Sequence, residues 1–166
     1  MKLLPALKTH LLRRPRRTLA VAESVTCGRI QARVGEISGA SEFFLGGITT
    51  YTLDEKVRHL GVSRAAARNV NCVSAAVAAE MARGVCRLFK SDIGAAITGY
   101  AEPAPPQQVV TPLAHWAIAM RRRSGVTVVR QGEIKCLGFS RAATQQHFAD
   151  AVLAELIDWL ESRGRG

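Results

Sequence analysis

The chain has 166 residues, 48% of them hydrophobic and 22% charged, a length and balance that fit one globular domain and exclude wholesale disorder, collagen-like repeats and heptad coils. Its 23 Lys and Arg against 13 Asp and Glu leave a formal net charge of +10, and no apolar run approaches the ~20 residues of a membrane-spanning helix. Residues 1–17 hold six of the basic residues and no acid, with Arg121, Arg122 and Arg123 as a second cluster; such a bias draws phosphates and acidic surfaces toward it.

The apolar stretch 3–7 precedes the basic residues instead of following them, the reverse of a secretory leader. The amino-terminal segment therefore reads as a first helix in a cytosolic, cytoplasmic protein. Residues 18–22 are short, apolar and β-rich and predict a buried strand, followed by a helix over 26–34. Residues 47–51 predict a strand and 53–60 a short helix. Ser74 is a good N-cap for a helix running to about residue 90, with Val77, Met81, Val85 and Leu88 on one face. Residues 93–98 predict another buried strand. Pro103, Pro105, Pro106 and Pro112 forbid helix and central strand over 101–112, which is then a loop within the domain. Residues 113–120 and 126–134 predict a strand pair turning through 121–125, with His115 as a packed strand residue. A last helix starts near Ser140 and repeats Phe148, Val152, Leu156 and Leu160 every four residues. Strands alternating with helices predict an α/β fold, and the late strand pair makes its sheet mixed.

Cys27, Cys72, Cys86 and Cys136 form no C-x-x-C pair, and the histidines supply no close pair either, so no metal site is expected. Three of the cysteines read as small buried hydrophobes, with Cys27 set apart. Aromatics are only 5% of the chain and none lies in a basic cluster, so the bases of a nucleic acid would find nothing to stack on. The clusters read as solvated faces, and neither a nucleic acid nor a membrane is an expected partner.

Two places carry chemistry. In Ala22-Glu23-Ser24-Val25-Thr26-Cys27-Gly28 a buried strand ends and a helix begins, so unpaired backbone N–H groups and the positive end of a helix dipole lie beside Ser24. That setting suits a phosphate or a developing oxyanion, although Ser24 or Thr26 acting only as a helix cap accounts for the same residues. In Thr49-Thr50-Tyr51-Thr52-Leu53-Asp54-Glu55-Lys56 a strand delivers Tyr51 to its end and Lys56 enters the first turn of a helix. Cations are disfavoured there. A desolvated Lys beside a dipole end has a lowered pKa and can serve as base to a hydroxyl nucleophile, whereas a solvated Lys would be mere surface.

These residues in this order resemble the C-terminal domain of the competence/damage-inducible CinA family, the nicotinamide-nucleotide amidases. The family segment similar to A-E-S-C-T-G-G is matched at residues 22–28. The likeness continues through Gly39-Ala40-Ser41, Phe43-Phe44, Gly46-Gly47, Thr50-Tyr51, Glu55-Lys56 and Leu60-Gly61-Val62. It returns at Val73-Ser74, Glu80-Met81-Ala82, Gly84 and Thr98-Gly99, and spans roughly residues 18–160.

The resemblance implies a single domain, a three-layer α/β/α sandwich around a mixed β-sheet. It also implies hydrolysis of the carboxamide of nicotinamide mononucleotide, giving nicotinate mononucleotide and ammonia. Ser24 then matches the nucleophile, Lys56 its base and Tyr51 a partner in proton transfer. Thr26, Cys27, Gly28, Thr98 and Gly99 fall at substrate-binding positions. No metal or cofactor is implied, and a homo-oligomer is. Two departures stand out. Cys27 replaces a glycine of the T-G-G triplet. The second motif, like T-G-I-A-G-P before a glycine-rich loop, is here Thr98-Gly99-Tyr100-Ala101-Glu102-Pro103 before a proline-rich one. Prolines offer no N–H to a phosphate, and Glu102 adds a negative charge. Arg29 and the cluster Arg121, Arg122 and Arg123 are the candidates to replace the lost phosphate contacts. The alternative is a divergent, non-hydrolytic member that binds a nucleotide or a protein partner.

Overall fold

The computed structural model describes residues 3–163, with strands β1 (Leu19–Glu23), β2 (Phe44–Thr49), β3 (Ile93–Tyr100), β4 (Leu113–Arg122) and β5 (Gly125–Lys135). They make one sheet in the order β2-β1-β3-β4-β5. β1 runs parallel to both its neighbours, while β4 and β5 pair antiparallel. The helices are α1 (Leu3–Leu12), α2 (Arg29–Gly35), α3 (Leu53–Leu60), α4 (Arg64–Asn69), α5 (Ala75–Leu88) and α6 (Arg141–Ser162).

Side chains alternate across the sheet because successive Cβ atoms point to opposite faces. Leu19, Val21, Ile93, Ile97, Trp116 and Ile118 face one way and join a core with α1, α2 and α6. Ala20, Ala22, Ala96, Ala117 and Ala119 face the other way and join a second core with α3, α4 and α5. Helices thus cover both faces of a mixed sheet, the three-layer α/β/α arrangement. The alanine face lets α5 approach closely. A Cβ at Gly94 would stand 2.3 Å from the Ala82 carbonyl oxygen, and one at Gly84 would stand 2.2 Å from that of Leu60.

The caps are local. Thr52, Ser63, Ser74 and Ser140 each accept a backbone N–H of the first turn they precede, at Glu55, Ala66, Val77 and Ala143. Several bounds and one element differ from the sequence reading; β2, for one, starts at Phe44 and not at residue 47. Helix α2 begins at Arg29 and not at residue 26, because residues 25–28 form a turn tied to Glu23. Strand β2 ends at Thr49, which leaves Thr50 and Tyr51 beyond it. Helix α4 has no counterpart in the sequence reading, since six residues are too short for a hydrophobic period to declare itself. The loop 101–112 holds one 3₁₀ turn, Pro105–Gln107, closed by an Ala104–Val109 bridge.

No helix among the described residues is long and apolar enough to cross a membrane.

Candidate functional site

Parallel pairing sets the site. Glu23 lies in register with Thr49 of β2 and Ile97 of β3. The residues that follow each, Ser24, Thr50 and Thr98, therefore emerge together at one end of the sheet. From β1 the chain leaves toward the α2 face, and from β2 toward the α3–α5 face. The crevice between such divergent connections is where open α/β sheets hold ligands. A cavity of ≈ 410 Å³ opens there, with Ser24, Lys56, Thr98 and Arg141 in its wall.

Lys56 is 1% exposed. Its Nζ donates to Ser24 Oγ at 2.9 Å, to the Thr50 carbonyl at 2.7 Å and to the Tyr51 carbonyl at 3.3 Å. No carboxylate forms an ion pair with it among the described residues. Burial pushes its pKa down from 10.5 to about 8, with a smaller opposing pull from Cys72. Ser24 is itself buried, and its N–H is fixed to the Ile97 carbonyl. A hydroxyl and an amine of reduced basicity thus share a hydrogen bond inside the cavity wall, the pairing that lets an amine take the proton of an attacking hydroxyl.

Tyr51 meets Lys56 through its backbone, not its ring. The phenol is exposed and its oxygen accepts from Arg141 Nη2 at 2.8 Å. Arg141 Nη1 donates to Glu102 Oε1 at 2.5 Å, so the charge that the loop 101–112 adds is matched by the first residue of α6. Thr98 and Gly99 line the cavity. The Thr98 hydroxyl is committed to the Cys72 carbonyl at 2.7 Å.

Thr26, Cys27 and Gly28 are placed differently, outside the cavity lining. Glu23, fully buried, collects the Thr26 hydroxyl and the N–H groups of Gly28, Ile30 and Gln31 at 2.6–3.1 Å. The free amides expected at this helix start are thus held by the chain's own carboxylate, whose charge suits the positive dipole end. Among the described residues no acceptor takes the N–H of Val25 or Thr26. Cys27 is exposed at φ 49 and Gly28 at φ 92, so the cysteine occupies a left-handed position that glycine fills without steric cost.

Two further expectations are corrected. Cys86 and Cys136 are buried, but Cys72 is half-buried at φ 62 and lines the cavity. Arg29 donates to the Thr26 carbonyl, and Arg121 donates to the Ser91 and Cys86 carbonyls. Because Met120 pairs with Ile93 in antiparallel register, the Arg121, Arg122 and Arg123 cluster sits at the far end of β3 from Thr98. None of these arginines lines the cavity. His115 packs in β4 with Nε2 3.6 Å from Glu133 Oε2.

Sequence reasoning did not single out Glu23 as the anchor of the turn, or Arg141 as part of the wall. Arg141 carried the same signal as Lys56, a cation in the first turn of a capped helix.

The sequence pattern of the CinA C-terminal domain matches residues 3–160. A CinA-like protein of Chlorobium limicola is 36% identical over 146 residues, covering 87% of this chain and 34% of its own length. One from Picosynechococcus is 46% identical over 100 residues, covering 60% of this chain and 24% of its own. The chain thus spans about a quarter to a third of the length of these relatives. Among solved structures, the competence damage-inducible protein A of Klebsiella pneumoniae superposes with a TM-score of 0.86 at 23% identity, covering 96% of each chain, and speaks for the fold alone. The competence/damage inducible protein CihA of Agrobacterium tumefaciens superposes with a TM-score of 0.80 at 27% identity, covering 96% of this chain and 95% of its own. Joined to the arrangement around Ser24, the match over nearly every described residue settles the kinship: the chain belongs to the CinA C-terminal-domain family.

Proposed function

We propose that this protein is a serine amidohydrolase with Ser24 as nucleophile and Lys56 as base, converting nicotinamide mononucleotide to nicotinate mononucleotide and ammonia. The observation that carries this reading is the 2.9 Å contact between a buried amine, without a carboxylate partner among the described residues, and a hydroxyl in a cavity wall. The family resemblance supplies the substrate. Neutral Lys56 takes the Ser24 proton as Oγ attacks the carboxamide carbon. The resulting ammonium returns that proton to the leaving nitrogen, and ammonia departs. Water, activated by the same amine, cleaves the acyl ester and restores Ser24. The N–H of Val25, which directly follows the nucleophile and lines the cavity, is available to the oxyanion, in place of the Gly28 amide held by Glu23. Tyr51 orients: its carbonyl holds Lys56 and its hydroxyl holds Arg141. Thr98 and Gly99 shape the floor.

The test is ammonia release from nicotinamide mononucleotide by the purified protein. Ser24→Ala is expected to lower the rate more than about a thousandfold, and equal rates in the two proteins would discard the assignment. A second reading, nucleotide binding without turnover, is favoured by one observation: the three acceptors around Lys56 Nζ match the three donors of an ammonium, the form that cannot take the Ser24 proton. Thermal stabilisation by the nucleotide without any ammonia would select it.

A further inference from the structure

The only cations among the described residues lining the cavity are Lys56 and Arg141. Lys56 is enclosed and committed to Ser24 and two carbonyls, which leaves Arg141 to meet an anionic part of any ligand. Both arms of its guanidinium are engaged, one by Glu102 and the other by the Tyr51 hydroxyl. The Arg141 and Glu102 side chains are each about half exposed, so the pair lies within reach of an incoming molecule. Arg141 opens α6, where the helix dipole disfavours a cation. A carboxylate beside it is the natural counterion, and an anionic ligand would have to displace that carboxylate or share the guanidinium with it.

We infer that Glu102 is a specificity-determining residue: by occupying Arg141 in the manner of an anionic ligand group, it reduces the advantage a phosphate would give a substrate and so narrows the preference for the mononucleotide over the phosphate-free nucleoside. The inference rests on the amidase reading for the identity of the ligand and concerns charge alone. Nicotinamide mononucleotide and nicotinamide riboside share the carboxamide and the pyridinium charge and differ by the phosphate. Any change confined to the first compound therefore reports the phosphate contact. With Glu102 made neutral, Arg141 keeps its charge and loses its competitor, and repulsion between the carboxylate and the phosphate disappears.

The experiment is calorimetric titration of both compounds into the Ser24→Ala protein and into Ser24→Ala with Glu102→Gln. Glu102→Gln is expected to tighten the mononucleotide about fivefold to tenfold and to leave the riboside within about twofold, with the gain shrinking at high salt. Glu102→Asp is expected to restore the weaker mononucleotide affinity, which a merely structural role for the side chain would not predict. Equal tightening of both compounds, no change in either, or no mononucleotide binding to either protein would overturn the inference. Ammonia release by the Ser24-bearing Glu102→Gln protein is followed in parallel. A phosphate-selective gain in binding without ammonia in any variant would remove the amidase reading and leave the charge selection standing.

Discussion

Lys56 carries opposite demands at the residue scale. As an ammonium it satisfies Ser24 Oγ and two carbonyls, yet burial disfavours that charge and lowers its pKa to about 8. At pH 7 only about a tenth of the amine is then free to act as base. Provided the amidase reading holds, kcat/KM is expected to rise about tenfold between pH 7 and 9 and then level; a profile flat over that range would exclude Lys56 as the base. The same shift acts on stability with a definite sign. The folded pKa, about 8, lies below the unfolded value of 10.5, so the unfolded chain binds more protons between them. The cost of burying the charge is present in full below about pH 8 and is relieved as pH rises toward 10.5. Lys56→Met should therefore abolish activity while raising unfolding free energy at pH 7 by about 1–2 kcal/mol, the lost contacts to the carbonyls offsetting part of the gain. Denaturant melts at pH 7 and pH 10 check this, and a variant less stable than the parent at pH 7 would contradict it.

Packing between elements depends on small residues. Helix α5 rests on Ala20, Ala22, Ala96, Ala117 and Ala119, and at Gly94 the Ala82 carbonyl leaves no room for a methyl group. Gly94→Ala is expected to cost about 1–3 kcal/mol, since backbone and not a flexible side chain must move. An unchanged urea midpoint would show that α5 can shift at no cost. The turn after β1 depends instead on one polar residue. Glu23 organises four donors there, and that arrangement holds Ser24 at the cavity while turning Thr26 and Gly28 away from it.

Over the whole molecule the charge is polarised. Arg17 and Arg122 are far apart in the chain but interact at the end of the sheet opposite the cavity. Arg17, partly buried, has its pKa lowered by desolvation and then by Arg163, with Arg122 adding to the repulsion and Asp92 opposing it. Like charges crowded on one pole oppose the compact state. Raising NaCl from about 20 to about 300 mM is expected to raise Tm by about 2–4 °C through screening. A Tm that falls with salt would show attraction to dominate.

The sequence by itself determined most of the elements, because hydrophobic period, caps and prolines act over a few residues: Leu53–Leu60 falls at its predicted bounds, Ser74 caps the helix expected of it, and the last helix starts beside Ser140. It also singled out Ser24 and Lys56 as positions where local electrostatics needed a reason. What it could not determine was which partners those groups meet across the fold. The register of β1 between β2 and β3 brings the Lys56 amine to the Ser24 hydroxyl. The same end of the sheet gathers Arg141 and Glu102, 39 positions apart, and the antiparallel return of β4 carries Arg121 to the other pole. Contacts at such separations follow from strand order and register, which no local pattern of side chains encodes.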